Sequence, residues 1–558
     1  MRHSLLFFLL LGMFSLKGQD IEQTVNTVAE RLEDRPVQVS GGLALGTQWA
    51  SISGAPARYD NFDWNLQAQL TVDVLGFQVP FSAFLSDRNR LYNLPSYQFV
   101  GLSPRYKWLT LHAGDRSMNF NPYTFANQQF RGVGVELTPG KWRFAGMYGR
   151  LNRLQLGDFF ARQDLQTRYE RMGVAAEAGY QGERFALKAI LFQARDQLPD
   201  TLIGDIRGLA PAENTVGSVE GSVLLAKRLT LSGTYALSWI TEDRTSPLLP
   251  DSLADPLFGD RAATTRESAV RVTAAYALDK SVWQLAYERL SPNYRSLGTL
   301  YLTPDRENLT AGTALQFAEN KVTVSLNGGL QRNNLLGDRQ QTQRRVIGQV
   351  TVAARPGERT GITLNLSNFN ATSRLRGYFD PLSATDSIFL AQINRSARLG
   401  FTLSRPKERA PGSLSINASV TDAQSIRDDT LTNFRNTLYN AYLGYAGQLA
   451  GGGLSYQAQL LYGYTRASLA DNRVYGPSVA LSKTFADDKL QLSLTGSYSI
   501  VDYADRAGGS VLLSRLAASY RVGGTGMLQS QLQFTDRADG DDRRLTETLL
   551  TLTYAWNF

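Results

Sequence analysis

The sequence predicts an all-β chain, a transmembrane antiparallel up-and-down β-barrel of about 26 strands, bounded at roughly 24 to 28. Three observations predict it. Segment after segment alternates apolar and polar residues with a period of two. Very short turns alternate with longer connections. The chain also ends on TLTYAWNF, an alternating aromatic strand.

Residues 1–18 read as a secretory signal peptide: Met1-Arg2-His3 is a short basic start, Leu5 to Phe14 is apolar, and Ser15-Leu16-Lys17-Gly18 leads to polar sequence. That apolar run is too short to span a bilayer as a helix, and no later stretch approaches the ~18 apolar residues a spanning helix needs. Residues 19–36 form a short periplasmic N-terminal segment, with Ile21, Val25, Val28 and Leu32 at helical spacing before Pro36. Residues 37–558 are the barrel.

Its strands show two dissimilar faces. In LTLSGTYALSW, Leu229, Leu231, Tyr235, Leu237 and Trp239 oppose Thr230, Ser232, Thr234, Ala236 and Ser238; LQLSLTGSYSI repeats the pattern. Tight turns such as TPGK (138–141), LAKR (225–228) and AENK (318–321) alternate with longer connections such as 155–169, 197–213, 242–264 and 295–305. The tight side is periplasmic and the long side extracellular. Around Pro104, residues 97–114 make two short strands, one bent strand or part of an inward fold.

In lipid every backbone donor and acceptor needs an internal partner, so an alternating chain that crosses the membrane must close its sheet. Strands of ~9 to 11 residues suffice to cross. Trp142, Trp239, Trp283 and Trp556 share the apolar face near strand ends, as membrane-interface aromatics do. A soluble β-sandwich or solenoid would bury the same face in a protein core, but such folds rarely alternate loop lengths so regularly.

The final strand, with Tyr554, Trp556 and Phe558 on one face, resembles the C-terminal signal of Gram-negative outer-membrane β-barrel proteins. That resemblance implies an outer-membrane location, contact with outer-membrane lipid and lipopolysaccharide, and the barrel-assembly machinery as a partner in biogenesis. Residues 111–151 combine Gly114-Asp115, an aromatic loop and Phe130-Arg131-Gly132, and are locally similar to early hairpins of outer-membrane ushers. Departures are an absent plug domain and absent globular C-terminal domains.

Chemistry is sparse. No cysteine is present, so neither disulfides nor a Cys-borne lipid anchor contributes. The formal charge of +8 falls to +6 without Arg2 and Lys17, and the basic residues are scattered among acids, which argues against nucleic acid. With His3 in the signal, His112 is the one remaining histidine; no catalytic residue, cofactor or Cys/His metal site is expected. Acidic turns such as Asp539, Asp541 and Asp542 are weak calcium candidates that more simply make turns.

A water-filled interior must be polar. Lys141, Arg143, Arg271 and Glu288 are expected to face it, with Arg131, Glu136, Arg345 and Arg435 as companions, setting ion selectivity or bracing the wall. The expected function is a large pore or transport channel narrowed by inward-folded loops, 115–127 and 242–264, or by a periplasmic or lipoprotein partner subunit. The alternatives are an usher-like export or assembly barrel for a protein or polysaccharide, and a structural surface-display barrel without transport.

Overall fold

A computed structural model describes residues 37–558 apart from 57–59, 75, 88–98, 155–167, 198–209, 250–259, 301, 340, 377–386, 406–410, 428–433, 450–452, 469, 486–487, 506 and 541–542. The signal peptide and the helix expected over 19–36 lie outside the described residues.

Alternation makes every strand two-faced, and the sheet resolves this by closing. Twenty-seven strand segments form one antiparallel sheet. The first, Gln38–Ser53, pairs with the last, Arg544–Asn557, placing Leu45 opposite Tyr554 and Trp49 opposite Leu550. Backbone bonds between Gly41 and Phe558 extend the seam to the final residue. Phe99–Leu102 and Arg105–Tyr106 fill one position between Phe77–Ser86 and Leu109–Ser117. Pro104, which has no N–H to donate, separates them. The barrel therefore has 26 strands.

Tight turns gather at one end. At 225–228 Ala226 and Lys227 have φ of 49° and 61°, a left-handed pair that reverses the chain in the three-residue connection between the partners Leu225 and Leu229. Gly140 and Gly523, both at φ 63°, serve the same end. The described parts of the longer connections lie at the other end.

The outer face is apolar along its whole circumference. Val133, Leu187, Val272, Leu330, Leu399 and Leu460 are exposed members of it. Register, shifted at the strand ends near Arg171 and beyond Ala354, carries this parity from strand to strand, so the opposite parity faces the lumen.

Among the described residues the one packed core lies inside the barrel and is lopsided. Phe130, Ile190, Phe192, Val216, Ile240 and Leu290 belong to it and come from the inner faces of strands between Gln129 and Leu290.

Candidate functional site

Two segments fold into the lumen and cover these apolar inner residues. In 118–127, Asn121 accepts the Tyr123 amide at 2.8 Å, turning the chain so that Phe120, Tyr123 and Phe125 are buried. In 291–299, Tyr294 and Leu297 are buried beside it. Phe125–Ala126 and Gly298–Thr299 pair in parallel as a two-stranded sheet inside the barrel. A Cβ on Gly298 would strike the Thr124 carbonyl and the Phe125 and Phe192 rings, so glycine permits this approach.

Polar groups fasten the insert. Tyr294 donates to the Tyr123 carbonyl at 2.9 Å, and Ser296 to the Thr124 carbonyl at 2.5 Å. Asn214, fully buried on the wall, donates to Ser238 and the Trp239 carbonyl and accepts the Leu297 amide at 3.0 Å. Lys188 donates to the Phe120 carbonyl at 2.9 Å, and Asn121 to Glu220 at 3.1 Å. Tyr123 donates to Glu288 at 2.6 Å. Burial, reinforced by that carboxylate, holds the Tyr123 hydroxyl far above the ordinary phenol range, so it stays a donor.

Beneath the insert, charges of alternating sign run along the inner wall. Arg143 bridges Glu136 at 2.9 Å and Glu177 at 2.8 Å; Lys188 meets Glu220 at 3.2 Å; Arg306 meets Glu288 at 3.2 Å. Arg271 sits directly across from Glu288 on the neighbouring strand. The structure thus places Glu136, Arg143, Arg271 and Glu288 together in one row. Sequence reading missed Glu177, Lys188, Glu220 and Arg306. Their signal was present: each has the parity opposite to an outward apolar residue of its strand, Val174, Leu187, Val219 and Leu309 respectively.

Three expected lumen residues lie elsewhere. Lys141 is on the turn before Trp142–Asn152 and not in the wall. Arg131 points outward, because Phe130 beside it is buried in the lumenal core while Val133, of like parity, is exposed outside; it pairs with Asp115. Arg435 shares its parity with exposed Tyr439 and Leu443 and pairs with Asp422 on the outer face. Arg345 does face the lumen, over the Phe369 ring and 2.7 Å from Gln343.

His112 lies between Ser103, 2.9 Å from Nδ1, and Glu136, 3.1 Å from Nε2. The trio has the composition of a nucleophile, base and orienting acid, but the surroundings do not complete it. An acyl-transfer site needs N–H donors for an oxyanion. The Ser103 amide donates to the Pro80 carbonyl, and the next residue, Pro104, has no N–H. Glu136 is also tied to Arg143, which joins the imidazole to the end of the charge row.

Opposite the insert the wall is bare. Gln491, Ser493, Ser519, Gln529, Gln531 and Thr551 line an open hollow. Ser367 meets Ser396 at 2.6 Å and Thr351 meets Asn365 at 3.0 Å, so hydroxyl and amide groups pair across strands without charge. By parity Arg345, Arg398, Arg515, Arg521 and Arg537 share this inner face with one carboxylate, Glu547, among the described residues of 341–557.

The other expected positions resolve simply. Asp539 accepts the Arg543 amide across its hairpin at 2.9 Å, while Asp541 and Asp542 lie outside the described residues. Among the described residues no cluster of metal-ligating side chains occurs. Trp142, Trp283 and Trp556 are exposed on the outer face at the tight-turn end. Trp239 is half-buried on that face at the opposite end. Tyr554 and Trp556 point outward from the closing strand, with the Trp556 and Phe558 rings 4.7 Å apart. Of 115–127, the first three residues finish a wall strand and 118–127 turn inward, as does 291–299, whereas the described part of 242–264 stays at the end of the longer connections with Leu248 and Leu249 exposed.

No protein-family model and no curated protein matches the chain. Among solved structures it is similar to the translocation pore of the P pilus usher PapC, at 12% identity and a TM-score of 0.37, over 93% of this chain and 99% of that one. It is similar also to the copper transporter OprC, at 10% identity and a TM-score of 0.41, over 93% and 80% of the two chains. A third is OccK2 (OpdF) of Pseudomonas aeruginosa, at 12% identity and a TM-score of 0.29, over 94% and 98%.

Proposed function

We propose that this chain is a transport channel in the outer membrane of a Gram-negative cell, exported through residues 1–18 and assembled through its terminal strand. Its lumen is narrowed from one side by 118–127 and 291–299. The observation that carries this reading is the lopsided interior: Phe125 is 0% exposed inside the barrel, while Ser367 on the opposite inner wall is open.

The solute class follows from that open wall. Hydroxyl and amide side chains exchange hydrogen bonds readily with polar solutes, and arginines facing one acid bias the local field toward anions. The solutes are therefore polar and neutral or anionic. Planar-bilayer recording of the purified full chain tests this. Discrete conductance steps are expected, with a reversal potential on the anion side in a salt gradient; silence at all voltages overturns the channel, and cation preference overturns the solute class.

A further inference from the structure

The outer face carries an asymmetry that the channel reading leaves unused. Tryptophans occur at both ends, Trp49, Trp64 and Trp239 at the outer one and Trp142, Trp283 and Trp556 at the tight-turn one, so the asymmetry lies in charge. At the outer end the same face bears arginines, each pinned by an acid. Arg131 grips Asp115 through two bonds of 2.7 and 2.6 Å, and Arg544 grips Asp536 through two of 2.7 and 2.5 Å. Arg195 lies 3.0 Å from Glu213, Arg435 lies 2.9 Å from Asp422, and Arg332 bonds Glu307.

In each pair the carboxylate is covered and the guanidinium is presented. Arg332, Arg435 and Arg544 are 57%, 63% and 68% exposed, and their acids 19%, 15% and 14%. Register adds a further arginine to two of these pairs: Glu307 lies between Arg289 and Arg332, and Asp422, which Arg435 reaches diagonally, lies directly across from Arg395.

Lysine is absent from this girdle among the described residues. Lys107, Lys141, Lys227, Lys280, Lys321 and Lys489 all sit on turns of the other end, Lys483 lies on the outer face beside that same end, and Lys188 is inside. A merely solvated rim would accept either base. A guanidinium fork fixed on one edge keeps N–H donors on the other, which suits two-point recognition of a phosphate and lowers the ordering cost of binding.

We propose that this girdle binds the phosphomonoester headgroups of glycolipid in the leaflet around the barrel's outer end. The proposal rests on reading the exterior as lipid-facing, but not on conduction through the lumen.

The test uses the purified full chain in nanodiscs of phosphatidylethanolamine doped with diphosphorylated lipid A or with the same lipid stripped of phosphate, and counts retained lipid by mass spectrometry. The wild type should retain the phosphorylated form about tenfold over the stripped form. The combined Arg332→Gln, Arg435→Gln and Arg544→Gln variant should lose that preference. The corresponding Arg→Lys variant, which keeps charge but not the fork, should fall between, and Lys227→Gln with Lys321→Gln should match the wild type. Gel heat-modifiability reports folding of each, and bilayer conductance reports the channel separately. Equal retention of the two lipids, or undiminished preference in the Gln variant, overturns the proposal. Complete displacement by inorganic phosphate overturns its assignment to a lipid.

Discussion

The barrel has two arcs that share an exterior and differ inside. Along Leu109–Phe317 the inner face is apolar toward the outer end and charged below, and it is covered by 118–127 and 291–299. Along Val322–Asn557 it is hydroxyl and amide, and open. Lipid imposes one rule on both exteriors, because an outward side chain must be apolar wherever the strand crosses acyl chains. No such rule binds the interior, so the interior is where one arc is free to hold an insert and the other a passage.

Removing apolar volume should separate the arcs most. Phe125 and Phe192 are fully buried with ring centroids 5.5 Å apart, so Phe125→Ala or Phe192→Ala should cost about 3–5 kcal/mol. Denaturant unfolding measures this, and conductance should rise as the insert loosens. Gln531→Ala on the open arc should change stability by less than about 0.5 kcal/mol. Equal losses in the two arcs would erase the distinction.

Asn214→Ala should come next. It strands the Leu297 amide and removes the bonds to Ser238 and the Trp239 carbonyl, at about 2 kcal/mol. Unfolding should lose a single step if wall and insert are one unit, and split into two if the insert detaches first.

Glu288→Gln keeps the shape but removes the charge that faces Arg306 and accepts from Tyr123. It should destabilise by about 1–2 kcal/mol and shift the reversal potential further toward anions. Smallest of all, Arg345→Gln and Arg515→Gln should leave stability within about 0.5 kcal/mol while weakening anion preference.

The exterior was legible because its rule is periodic. The strand count, the break at Pro104 and the closing strand all follow from parity and turn chemistry. Even the misplaced Arg131 was legible in principle, since it shares parity with Val133 and Val135. Arg435 likewise shares parity with Tyr439 and Leu443. The insert was not, because Tyr294 and Leu297 meet Tyr123 and Asn214 across more than a hundred and about eighty residues of sequence respectively, and no local period records such a partnership. A fainter mark did exist in KAILFQA, where Ile190 and Phe192 are apolar on the face that elsewhere is polar. Two-sided greasiness within a barrel strand signals that something inside covers it.

Thiol accessibility tests the two-faced wall most directly, since the chain has no cysteine of its own. Ser367→Cys lies on the open inner wall, Leu366→Cys beside it on the outer face, and Ser218→Cys under the insert, where Thr124 now meets the serine at 2.8 Å. A charged, membrane-impermeant maleimide applied to reconstituted protein should label the first quickly and the other two at least about tenfold more slowly. Labelling of Leu366→Cys as fast as Ser367→Cys would contradict the account at its base.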